Sequence, residues 1–183
     1  MLVVVIIAII AAVLFLGSAV IYRANQGKRS LRKSFGPEYE TVAQEHDSSR
    51  EVDRELLRRK QLHDQLNLHA ISVNDQAYFA TSWEHLQGEF VEDPAVALRS
   101  AGRLVTRLLD ARGYPGGDAG EQLALLSVKH ANVLADYRRA QRISEHTLTT
   151  SAPIPTEELR QALLSYHALS DELMAEPGAL AAR

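Results

Sequence analysis

Residues 2–22 read LVVVIIAIIAAVLFLGSAVIY and contain no charged side chain. No other feature limits so strongly what this chain can be. Wound as an α-helix, the run would extend ~32 Å, close to the ~30 Å hydrocarbon core of a bilayer. Val and Ile are modest helix formers in water. In lipid that matters little, because a helix satisfies its own backbone N–H and C=O groups where no water can. Tyr22, at the end of the run, suits the interface, with its ring among headgroups and its hydroxyl in water. A buried core helix rarely stays apolar on every face over this length. A cleaved signal peptide is the closer rival, with small residues at Ala11-Ala12 and Ser18-Ala19. It would need a basic segment ahead of a shorter apolar stretch, and here the positive charge follows instead. The expectation is a transmembrane anchor over 1–22.

Segment 23–36 carries Arg23, Lys28, Arg29, Arg32 and Lys33 and no acid. Only the α-amino group lies on the other side of the run. The asymmetry of Lys and Arg predicts a cytoplasmic C-terminal side and an outer N-terminus, in the plasma (inner) membrane. The five cations form a collar suited to anionic lipid headgroups, at about 1 kcal/mol each near the surface. A C-terminal alkaline phosphatase fusion active outside the membrane would overturn this topology.

Beyond residue 33 the balance reverses. All 23 acidic residues lie there against 15 Lys and Arg, a net charge of −8 where the whole chain has −3. An acidic domain lacks the electrostatic footprint of a nucleic-acid binder, so none is expected as a partner. The absence of cysteine removes disulfides, thiol catalysis and zinc–thiolate sites.

The rest of the chain reads as helical. Pro37 suits the first turn of a helix whose dipole Glu38 and Glu40 complement. From there to residue 68 the chain is dense in charge and its apolar stripe is thin. The pattern predicts one long, mostly solvated stalk helix over about 38–66. A paired coiled coil is disfavoured, because Arg59 and His63 would fall in the seam. Residues 67–72 form a loop, and Ser72 with Asp75 makes a capping pattern. The 73–91 stretch places Phe79, Trp83, Leu86 and Phe90 on one face, the expected aromatic centre of the core. Asp93-Pro94 signals another helix start, and Gly113 its stop. That helix bears Arg99, Arg103 and Arg107 in an i, i+4 row, read as a solvated face with acidic partners; a phosphate or lipid site is the alternative.

A glycine-containing connection follows over 114–120. It lacks the GK[ST] ending of a phosphate loop. Helices are then expected at about 121–126 and 128–146, a linker over 147–155, and a last helix capped by Thr156, with Glu157 and Glu158 in its first turn. No segment alternates over strand length. The fold class is therefore all-α: an N-terminal transmembrane helix, a charged stalk over 37–68, a bundle of about five helices over 69–176, and a frayed tail over 177–183.

Local signatures of chemistry are missing. The seven histidines, at 46, 63, 69, 85, 130, 146 and 167, form no metal-binding motif and read as surface or singly satisfied groups. No serine elbow or nucleotide fingerprint occurs. No catalytic residue, metal or cofactor is expected. A site assembled from distant residues of a bundle would leave no local pattern, and a polar pocket beside Trp83 and Tyr114 would reveal one.

Several short motifs recur together: Phe35-Gly36-Pro37-Glu38-Tyr39; Trp83 with Phe90-Val91-Glu92-Asp93-Pro94; and Leu104-Val105 with Arg112-Gly113-Tyr114-Pro115. Leu126-Ser127 with His130, Tyr137 and Arg138, and Leu159-Arg160-Gln161-Ala162 with Tyr166, complete the set. In these the chain resembles a family of uncharacterised bacterial single-pass membrane proteins with a helical C-terminal domain. The resemblance implies fold and membrane attachment, and it brings no activity. The sequence thus leads to a membrane-tethered interaction module. It would touch lipid through residues 2–33 and a protein partner through the bundle, with self-association an option through Ala8 and Ala12. An enzyme or ligand-binding domain, and a secreted domain released by cleavage, are the alternatives.

Overall fold

The computed structural model describes residues 30–149 and 152–176. The anchor run 2–22, the collar residues Arg23, Lys28 and Arg29, and the tail 177–183 lie outside the described residues. Among the described residues every regular element is helical, and no helix is long and apolar enough to cross a membrane. The chain divides into two units, Met1–Leu56 and Leu57–Arg183.

In the first unit, helical residues 30–35 end at Gly36, whose φ of 45° lies in the region that favours glycine. Pro37 then opens α1 (Pro37–Gln44), as its fixed φ and missing N–H predict. Helix α2 (Ser49–Asp64) follows after a break. The single stalk helix expected over 37–68 is therefore two helices, and the residues between them supply the reason. The His46 ring nitrogen Nδ1 lies 3.0 Å from the Val42 carbonyl, and Ser48 Oγ accepts from the Glu51 amide at 3.4 Å. Side chains that bond nearby backbone groups compete with helix continuation. Nor is the segment mostly solvated: Val42, Val52 and Leu56 are buried.

Among its described residues the second unit takes the last turns of α2 and five further helices, matching the expected number over 69–176. These are α3 (Val73–Glu92), α4 (Pro94–Arg112), α5 (Ala119–Leu126), α6 (Ala131–Thr149) and α7 (Thr156–Ala175). Caps set most of their ends. Ser72 Oγ accepts from the Asp75 amide at 3.1 Å, and Asp93 Oδ1 accepts from the Ala95 and Val96 amides at 3.1 and 3.0 Å. Asp118, expected within the loop, caps α5 through the Glu121 amide at 2.7 Å. Thr156 is not a cap: the N-cap position of α7 falls on Pro155, and no side chain bonds there. Helix α6 starts three residues later than expected and runs to Thr149, into the anticipated linker.

Helix α4 is the centre of the unit. It packs against α3, α6 and α7, while α7 also lies along α6, and α5 rests on α6. Ala97, Leu98, Ala101, Val105, Leu108 and Leu109 of α4 have no exposed surface. Around them close Phe79, Trp83 and Leu86 of α3, Leu134, Tyr137 and Ala140 of α6, and Leu159, Tyr166, Leu169 and Leu173 of α7. Burying an aliphatic or aromatic side chain is worth about 1.5–3 kcal/mol, so this cluster drives the fold. Tyr137 and Tyr166 meet edge-on with ring centroids 5.7 Å apart, and burial raises both hydroxyl pKa values, that of Tyr166 to about 12.

Gly113 terminates α4 at φ 91°, and a Cβ there would meet the Asn67 carbonyl oxygen at 2.7 Å. The glycine lets the loop before α3 lie flush against the helix end, where the His69 amide bonds the Arg112 carbonyl at 2.8 Å.

Candidate functional site

Two polar assemblies stand out within the second unit: an open groove and a buried cluster. The groove follows from the two faces of α3. Phe79, Trp83 and Leu86 turn to the core. Tyr78, Ser82, His85 and Glu89, four, three and four residues apart, turn to the other wall of a cavity of about 470 Å³. Ser100, Arg103, Leu104 and Arg107 of α4 form the facing wall. Helices α3 and α4 stay paired because the single residue Asp93 joins them, as N-cap of one and C-cap of the other.

The arginine row does not pair as expected. Arg107 Nη1 donates to the Tyr78 hydroxyl at 2.9 Å, and Arg103 Nη2 donates to Ser100 Oγ at 2.9 Å. Arg99 leaves the row, its Nη1 donating to Thr147 Oγ1 on α6 at 3.1 Å. These partners are neutral hydroxyls rather than the carboxylates the sequence suggested. A guanidinium has five N–H groups, so one such bond leaves most of its donors and all of its charge unspent. Glu89 lines the same groove and brings acceptor oxygens.

The buried cluster joins residues that no sequence window contains. Arg112, at the end of α4, is fully buried. Its Nη2 donates to Glu176 Oε2 at 3.0 Å, and its Nη1 donates to the His69 carbonyl. His130 Nδ1 lies 2.7 Å from Glu172 Oε2, its Nε2 lies 3.5 Å from Glu176 Oε2, and the Tyr114 hydroxyl stands 3.4 Å from the same Nε2. Burial would push the Glu176 carboxyl up, but the hydrogen bonds and charges of His130 and Arg112 outweigh it and hold the group at about 2. His63, 5% exposed, packs its ring 6.2 Å from that of Tyr114. Neither of its ring nitrogens has a hydrogen-bond partner among the described residues. Burial lowers its pKa, with Glu176 and Asp64 raising it and Lys129 opposing them.

The cluster pins the ends of α4 and α7 to the loop before α3 and the turn before α6. Histidines 63 and 130 therefore share one buried polar site instead of being scattered, as their sequence positions suggested. Among the described residues no group of three or more His, Asp or Glu side chains could hold a metal ion. Trp83, beside which a polar pocket would also have marked a site, lies in the apolar core with its ring 4.7 Å from that of His167.

Of the five collar cations, Arg32 and Lys33 are described. Both are exposed. Arg32 pairs with Glu40 and lies 5.3 Å over the Tyr39 ring, so part of its charge is already engaged within its own unit. No family model, curated protein or solved structure matches the chain.

Proposed function

We propose that this chain is a membrane-tethered, non-catalytic interaction module. Residues 2–22 anchor it in the plasma membrane with the N-terminus outside. The collar Arg23, Lys28, Arg29, Arg32 and Lys33 lies on anionic headgroups, and the helical domain works in the cytoplasm. Tethering raises the local concentration of a weak binder near a partner held at the same membrane.

One observation carries the binding reading: the groove between α3 and α4, where, among the described residues, Arg103 and Arg107 bond neutral hydroxyls and keep their charge available. An open groove with unspent cationic donors is suited to recognising an anionic group on a partner.

The test uses the full chain in cells. A photoreactive residue replaces Thr81 in the groove wall, and another replaces the exposed Leu164 of α7 as a control. The reading expects the protein to resist carbonate extraction from membranes. It also expects an adduct from position 81 that position 164 does not form, and loss of that adduct when residues 2–22 are deleted. A full-length chain recovered in the soluble fraction, or identical adducts from both positions, would overturn it.

A further inference from the structure

The groove also constrains the chemistry of what it binds. Taking it as the module's recognition surface, we propose that it holds a hydroxyl-bearing phosphodiester, of the kind presented by a phosphoglycerol group.

Arg103 and Arg107 stand one helical turn apart on α4. Each has committed one N–H to a hydroxyl, Ser100 Oγ and Tyr78 OH respectively. Side chains four residues apart on a helix are neighbours and both line the groove, a placement suited to sharing the oxygens of one tetrahedral phosphate. A carboxylate, with two oxygens in one plane, is satisfied by a single fork.

The opposite wall has a different character. Glu89 is an acceptor when ionised, Ser82 Oγ donates to the Tyr78 carbonyl at 2.8 Å and keeps acceptor capacity, and Thr81 offers a hydroxyl that both donates and accepts. A ligand that were only an anion would meet repulsion from Glu89. A ligand with free hydroxyls beside its phosphate would donate to that carboxylate.

Charge points the same way. Two arginines and one glutamate give the groove a formal charge of one positive unit. That balances the single charge of a phosphodiester better than the double charge of a monoester. The cavity of about 470 Å³ lies within the ~300–1,000 Å³ typical of small-ligand sites. An acidic peptide segment fits less well, because each of its carboxylates adds charge beside Glu89 and only its backbone N–H groups could donate to that side chain.

The same chemistry could come from a lipid headgroup or from a soluble glycerophosphodiester, and the experiment separates the two. The full chain is placed in nanodiscs of phosphatidylcholine, and glycerophosphoglycerol is titrated by calorimetry. In parallel, nanodiscs containing phosphatidylglycerol are compared with phosphatidylcholine alone, with contact to lipid read by photocrosslinking from position 81. The collar is intact in every protein compared, so its own affinity for anionic lipid cancels.

Saturable binding of glycerophosphoglycerol, weakened at least about ten-fold in R103Q/R107Q, supports the proposal with a soluble source. A crosslink to phosphatidylglycerol that R103Q/R107Q abolishes supports it with a lipid source. E89Q should lower the preference for glycerophosphoglycerol over inorganic phosphate, a change that general loss of folding would not produce. Circular dichroism should show that both variants keep their helix content, as expected for surface substitutions. Absence of binding in both arms, equal binding by R103Q/R107Q, or tighter binding of a poly-glutamate peptide than of glycerophosphoglycerol would overturn the proposal. The tethered-module reading would survive those results if the position 81 adduct to a protein remained.

Discussion

Arg112 and Glu176 form a 3.0 Å ion pair in which the guanidinium has no exposed surface and the carboxylate side chain is 17% exposed. The pair closes the end of α7 onto the end of α4, with the His69 carbonyl taking a further Arg112 donor. Breaking a buried pair by removing one partner costs about 3–5 kcal/mol, whereas replacing both with apolar groups can be nearly neutral. R112A should therefore lower stability by roughly 3 kcal/mol, and R112M/E176L by distinctly less. Urea unfolding of the two variants and the wild type measures the difference. Equal losses would mean that packing of the arginine stem, rather than its charge, holds this end of the bundle.

The same pair makes the protein sensitive to strong acid. Burial alone would raise the Glu176 carboxyl, but its bonds and charges with His130 and Arg112 win and bring it from 4.5 down to about 2. A depressed folded pKa contributes stability that is complete above the unfolded value and lost as pH falls through the folded one. The melting temperature should thus decline between about pH 4.5 and about pH 2, and E176Q should flatten that part of the curve. A wild-type profile that E176Q reproduces below pH 4.5 would place the acid sensitivity elsewhere.

His63 acts in a higher window. Burial depresses its pKa below 6.5, and both ring nitrogens lack hydrogen-bond partners among the described residues. The unfolded chain then binds a proton that the fold rejects, so stability is present above pH 6.5 and is lost as pH falls through the depressed value. Replacing the ring with a hydrocarbon of similar size removes both the proton and two unsatisfied polar atoms. H63F should be as stable as wild type at pH 7.5, or more so by about 1 kcal/mol, and should lose the decline that begins below pH 6.5. Thermal melts at a series of pH values test this; an H63F variant that keeps the decline would exclude the group.

These residues also mark the limit of what the sequence reveals. Local signals worked where a short window contains the whole cause. Ser72 with Asp75, Asp93 with Pro94, and Gly113 each set a helix end as expected, because a cap needs only its own turn. The aromatic face of α3 was legible because periodicity alone turns Phe79 and Trp83 inward. The break at 45–48 was not: nothing in the charge pattern says that the His46 ring will lie against the Val42 carbonyl. The buried cluster was hidden for a stronger reason. His63, Arg112, His130 and Glu176 come from four elements, and only tertiary packing gives each a partner or denies it one. The groove lay between. The row of Arg103 and Arg107 was visible, but its hydroxyl partners on Tyr78 and Ser100 were not.

Gly113 ties the bundle to its entrance loop. Its φ of 91° costs an L-residue roughly 1–2 kcal/mol, and an added Cβ would lie 2.7 Å from the Asn67 carbonyl oxygen, which is backbone and cannot swing away. Relieving that contact means moving residues 67–69, and with them the His69 amide bond to the Arg112 carbonyl at 2.8 Å and the His69 carbonyl that accepts from Arg112. The strain and the loss of the loop contacts should compound. G113A is therefore expected to cost more than the backbone term alone, about 3 kcal/mol or more, and to expose the amide of His69 to hydrogen exchange ahead of global unfolding. If G113A instead lost no more than about 1 kcal/mol with the His69 amide still protected, the loop would be held by the cluster side chains and not by the glycine's close approach.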